Sequence, residues 1–143
     1  MNAIERTIDT AMEQFVRKVL IESQVARRMG VELRAIEPER LTLFLPFRPD
    51  NVTVGDTVHG GVIAALIDIA GAAGSASGAD SSRIKGGATA SLVVNYLNAA
   101  NGVDLRAEAT VIKRGRDTTV TEVAVRDTAD RLIATGTVTS RLW

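Results

Sequence analysis

The reading turns on Thr57-Val58-His59-Gly60-Gly61-Val62-Ile63-Ala64-Ala65-Leu66-Ile67-Asp68 and the small apolar residues that follow it. Between Thr57 and Ala79, 23 residues, His59 and Asp68 are the only ionisable side chains. Two polar groups, five Gly and two Ser argue against a membrane span. So does the lack of an uninterrupted apolar run of the roughly 20 residues a bilayer needs. The pattern predicts a helix buried on all sides. A carboxylate inside such a helix is costly to ionise, so Asp68 has to be paired, hydrogen-bonded or functional.

The rest of the chain reads as a wrapping for that helix. Upstream, residues 3–28 predict one amphipathic helix. Ile4, Ile8, Met12, Phe15 and Val19 form its apolar stripe, Glu5, Arg6, Asp9, Glu13, Arg17 and Lys18 lie away from it, and Gly30 is the C-cap. Residues 31–36 read as a short strand. Residues 41–45, Leu-Thr-Leu-Phe-Leu, read as a strand with one leucine face. Pro46, Pro49, Asp50 and Asn51 break the pattern and open a loop to residue 57. Downstream, strands are expected at 88–97, 103–113, 118–126 and 131–143. The turns between them, read as three consecutive hairpins, make this half of the sheet antiparallel. Helix, two strands, buried helix and four strands together predict an α+β fold with a sheet curled around the helix. The division is a helix over 1–29 and one domain over 30–143.

Composition narrows the function. Lys plus Arg and Asp plus Glu each number 17, so the formal net charge is zero. That removes the electrostatic case for nucleic acid or an anionic membrane surface. With no Cys and a single His, thiol chemistry, disulfides and a transition-metal site are not expected. No apolar targeting segment opens the chain, and a cytoplasmic address is expected by default.

The candidate chemistry sits on the buried helix. His59-Gly60-Gly61 opens it, where backbone N–H groups lack intrahelical partners and face the positive end of the dipole. Such a terminus suits an anion or a developing oxyanion. Equally, the glycines could only allow a tight turn, with His59 as a capping residue. Asp68 lies eight residues beyond Gly60, about 12 Å along the axis at the α-helical rise. Two groups that far apart cannot act on one carbonyl carbon. If both are catalytic, two helices must lie antiparallel, with Gly60 of one chain meeting Asp68 of the other across a two-fold interface. The alternative for Asp68 is a structural carboxylate held by backbone N–H groups or an Arg. Gly71, Ala72, Ala73 and Gly74 would either make room for an acyl group or let the helix pack closely; close packing is the preferred reading.

These residues resemble the hotdog-fold acyl-CoA thioesterases of the phenylacetate-pathway (PaaI-like) type. The resemblance runs from about Gly30 to Thr139. It rests on His59-Gly60-Gly61 with an acidic residue nine positions after the His, on the stretch from Thr89 to Leu97, and on Val111-Ile112-Lys113-Arg114-Gly115-Arg116. It implies an antiparallel sheet around a long central helix and hydrolysis of an acyl-CoA thioester to a free acid and CoA. It implies that the Gly60 N–H polarises the thioester carbonyl, that Asp68 of the partner subunit acts as general base or nucleophile, and that Thr89 lies near the reacting water. His59 would orient the helix terminus rather than move protons. Gly61, Lys113, Arg114, Gly115 and Arg116 are candidate substrate contacts, with a solvated hairpin tip as the plain alternative for the last four. Many relatives carry Asn where this chain has Thr53, so Asn51 is the candidate for that role. A homodimer, assembling into a dimer of dimers, is expected, with acyl-CoA as the partner and no separate cofactor. Two other readings of the same fold are a module that binds acyl-CoA without turnover and an enoyl-CoA hydratase. The hydratase is disfavoured because the one His precedes Asp68 by nine residues.

Overall fold

The computed structural model describes residues 6–143. Six strands form one antiparallel sheet: β1 (Glu32–Glu37), β2 (Arg40–Leu45), β3 (Gly87–Tyr96), β4 (Leu105–Arg114), β5 (Thr118–Asp127) and β6 (Leu132–Leu142). Their order across the sheet is β1-β2-β4-β5-β6-β3. Alternation places Leu41, Leu43 and Leu45 of β2 beside Leu105, Ala107 and Ala109 of β4, all buried. Helix α3 (Gly60–Ser77) lies on that face and buries Ile63, Leu66, Ile67, Ala70 and Ala73 against it. By length and composition α3 could cross a membrane. Its apolar surface is instead the core of this domain.

Close approach of α3 to β6 depends on two glycines. A Cβ on Gly71 would fall 2.4 Å from Val138 Cβ, and one on Gly136 would fall 2.4 Å from Ile67 Cγ2. The quartet after Asp68 therefore divides. Gly71, Ala73 and Gly74 are buried, with Gly71 packed on Val138 and Gly74 on Ala109 and Thr121, whereas Ala72 faces a cavity.

Three sequence expectations are corrected. The N-terminal helix does not run unbroken over 3–28. Helix α1 (Thr10–Phe15) begins after Asp9, whose carboxylate accepts from the N–H groups of Ala11 and Met12. A π-helical segment, Val16–Ile21, follows. Ser23 then caps α2 (Gln24–Met29), which ends at Gly30 in the left-handed region (φ 90°). Ile4 and Glu5 lie outside the described residues. The wider π turn shifts the helical phase, so Met12 and Val16 are buried while Val19 is exposed. Second, the chain between β3 and β4 is not a hairpin: β3 pairs with β6, at the far side of the sheet from β2. Eight residues can span the three strand spacings this requires, about 14 Å. Third, α3 is not buried all round. Gly61, Val62, Ala64, Ala65, Asp68, Ile69 and Ala72 keep partial or full exposure, on a face the sheet does not cover. Strand β3 is likewise exposed along nearly its whole length, with Val93 and Tyr96, and Leu97 just beyond it, about half accessible. An apolar edge strand thus lies beside an open helix face.

Candidate active site

Local hydrogen bonding shapes the start of α3. His59 is the N-cap, in extended backbone (φ −61°, ψ 132°), and its Nδ1 accepts the Gly61 N–H at 2.8 Å. The N–H groups of Val62 and Ile63 both donate to the His59 carbonyl. That leaves the Gly60 N–H as the first-turn donor with no partner among the described residues. Tyr96 of β3 donates its hydroxyl to the Gly60 carbonyl at 2.7 Å and covers the glycine with its ring. Behind the turn, the His59 N–H donates to the Asn51 carbonyl. Asn51 itself is buried, and its amide donates to the Met29 carbonyl at 2.7 Å. Asn51 thus ties the end of α2 to the start of α3.

Asp68 is half-buried on the open face of α3. Thr89 Oγ1 donates to its Oδ1 at 2.7 Å. No Arg and no backbone N–H bonds the carboxylate among the described residues, so the structural alternative has no anchor of that kind in this chain. One carboxylate oxygen is oriented by a hydroxyl and the other is left open. That is a geometry suited to accepting a proton from water.

The hairpin candidates separate. Arg114 is a brace: its Nε and Nη2 meet Glu39, Nη2 also meets the Ser75 carbonyl at 2.6 Å, and Nη1 reaches Thr119. A guanidinium on a carbonyl of the last turn of α3 complements the negative end of the helix. Gly115 closes the hairpin through its N–H to the Thr118 carbonyl. Lys113 and Arg116 are exposed, and Arg116 borders a shallow cleft with Gly78, Asp80, Arg83 and Trp143. Neither hairpin cation approaches Asp68 in the cavity beside that carboxylate, whose wall holds Lys85 instead. Among the described residues no group of three or more His, Asp or Glu is placed to hold a metal.

Two features escaped the sequence reading. Tyr96 bonds the first helical residue, and the N-terminal helix roofs a cavity at Asp68. The roof is fastened by Asp9, whose carboxylate also accepts from the Ser81 N–H and hydroxyl. The Ser81 hydroxyl, followed by the Ser81 and Met12 N–H groups, holds the Asp9 carboxyl below the usual carboxylate range.

Comparison with known proteins agrees with this architecture. Residues 55–134 match the family model described as the thioesterase superfamily. A suspected esterase of Halobacterium salinarum is 34% identical over 108 residues, covering 71% of each chain. Among solved structures, the Escherichia coli PaaI protein of the phenylacetic acid degradation operon superposes with a TM-score of 0.81 at 16% identity, covering 92% of this chain and 93% of that one. A hypothetical thioesterase from Streptococcus pneumoniae, solved with coenzyme A, superposes with a TM-score of 0.75 at 19% identity, covering 83% and 91%. With a six-stranded antiparallel sheet around one long helix and an N-terminal helix beside it, this chain has the hotdog fold and belongs to the thioesterase superfamily.

Proposed function

We propose that this protein hydrolyses an acyl-CoA thioester to a free carboxylic acid and coenzyme A, in a homodimer whose two sites each combine Gly60 of one protomer with Asp68 of the other. One observation carries the reading: a carboxylate oriented by Thr89, lining a cavity on an uncovered face, with a first helical N–H that has no partner among the described residues. Asp68 takes a proton from water as the oxygen attacks the thioester carbon. The carbonyl electron pair moves to oxygen and is held by the partner's Gly60 N–H. Collapse breaks the C–S bond and releases CoA thiolate, which is then protonated.

The dimer is supported by the open β3 edge and by the roughly 12 Å that separates Gly60 from Asp68 within one chain. Coenzyme A as the leaving group is supported by the CoA bound to the Streptococcus pneumoniae neighbour. Pairing of dimers into tetramers and a cytoplasmic setting complete the proposal. Its test is Asp68→Asn, assayed by CoA release across a panel of acyl-CoAs. Turnover should fall about 10²- to 10⁴-fold, the usual contribution of a positioned base. Unchanged turnover removes Asp68 from the mechanism. Stoichiometric binding of acyl-CoA by the unaltered protein, without turnover, would make it a binding module instead.

A further inference from the structure

A cavity of about 410 Å³ opens beside Asp68 and Thr89 and runs along α3, away from the His59 end. Its floor is the stripe Asp68, Ala72, Ala76, one residue per turn on the same helix face. Met12, Phe15 and Leu20 of the N-terminal helix form the roof, and Leu142 closes a side. Among the described residues, Asp68 and the exposed Lys85 are the only charged side chains that line it.

We infer that this cavity receives the acyl chain of the substrate and that the substrate class is a medium-length acyl thioester of roughly eight to ten carbons, apolar where it lies against Ala72, Met12 and Phe15; the inference rests on Asp68 marking the reacting carbon. The length follows from the helix. From Asp68 to Ala76 is eight residues, about 12 Å at 1.5 Å each. An extended chain of ~1.5 Å C–C bonds advances about 1.25 Å per carbon, so that distance holds about nine or ten carbons. Longer chains meet the roof. Phe15 and Ala72 are then the residues that set chain length, Ala72 because it sits one turn in, where anything larger than a methyl group fills the trough.

The test compares straight-chain acyl-CoAs from two to sixteen carbons on the unaltered protein, Ala72→Leu and Phe15→Ala, with calorimetric titration of decanoic acid on all three. In the unaltered protein kcat/KM should rise about fourfold per added methylene, the transfer value of one CH₂, and level off near eight to ten carbons. Ala72→Leu should move the break to about five carbons, one helical turn from Asp68, and weaken decanoic acid at least tenfold. Phe15 is partly exposed, so its truncation spares the core, and Phe15→Ala should move the break to longer chains. A flat profile on an active enzyme that does not bind decanoic acid overturns the inference and leaves the hydrolase reading intact. So does an equal loss on acetyl- and decanoyl-CoA in Ala72→Leu, which would put the pantetheine arm in the cavity. Should no acyl-CoA be turned over, the hydrolase reading fails, and the decanoic acid titration still decides what the cavity takes.

Discussion

Gly60→Pro removes one hydrogen-bond donor and little else. Gly60 is the first residue of α3, and its N–H has no partner among the described residues, so no helical bond is lost. Proline is favoured at that position. It also constrains the residue before it to extended backbone, and His59 is already there at φ −61° and ψ 132°. A Cβ on residue 60 would lie 3.5 Å from the Tyr96 ring, an ordinary contact. The variant should therefore fold and melt within a few degrees of the parent. If the Gly60 N–H stabilises the oxyanion, its removal costs about 10²- to 10³-fold in kcat. Gly60→Ala keeps the N–H and adds the same Cβ, so it should stay within about tenfold of the parent. The measurements are CoA release with a thiol reagent and a circular dichroism melt. The same variant tests the shared site. Refolding Gly60→Pro with Asp68→Asn in equal amounts gives half mixed dimers, each with one of its two sites intact. Activity should return to about one quarter of the parent's, the share of sites carrying both groups under two-fold symmetry. Full activity in Gly60→Pro alone would refute the oxyanion role. No recovery on mixing would refute the contribution in trans.

Other perturbations read different parts of the molecule. Thr89→Val deletes a hydrogen bond to an ionised group and should lower kcat/KM about 10- to 100-fold. Thr89→Ser, which keeps the hydroxyl, should stay within about threefold; equal activity in both would remove Thr89 from the site. Gly71→Ala places a methyl 2.4 Å from Val138 Cβ. Overpacking of up to about 3 kcal/mol, less the roughly 1 kcal/mol gained in helix propensity, leaves a melting temperature lower by up to about 7 °C. A rise in melting temperature would mean that helix and sheet separate more easily than this contact implies. Acid should release the roof. The folded Asp9 carboxyl titrates below its unfolded value of 3.8, so its contribution is complete above that pH and is lost as pH falls through the lower, folded value. Hydrogen exchange at residues 10–21 should therefore quicken below about pH 4, and Asp9→Ala should show the faster exchange already at neutral pH.

Much of the architecture is legible in the chain because it rests on local periods. Leu41, Leu43 and Leu45 alternate, as do Leu105, Ala107 and Ala109, and both sets point to the core. Strand order is not local. Thr89 pairs with Ser140 and Tyr96 with Ala134, a long-range choice that residues 98–102, which read as a turn, do not reveal. Apolar residues on every side of α3 read as full burial, yet the chain leaves one face of that helix open, beside an exposed β3. The pattern records apolarity without recording which face the sheet covers. At the site, His59, Gly60 and Asp68 stand out as the ionisable and flexible positions of an apolar helix. Thr89 was visible only through resemblance. Tyr96 lies in the stretch that carries the resemblance, but its bond to Gly60 has no sequence signal because a tyrosine in a strand is ordinary. The cavity was hidden for a different reason: it is made by what Ala72 and Ala76 do not fill, and by a π turn that changes which residues of the N-terminal helix face inward.

The imidazole at the head of α3 is the only one in the chain. Because its Nδ1 accepts the Gly61 N–H, the ring proton belongs on Nε2. The tautomer is therefore set by the helix it caps. A single set of histidine ring signals in an NMR spectrum becomes a resident reporter, free of overlap, placed one residue from the amide where negative charge is expected to gather. An anion settling there should move those signals before any product forms.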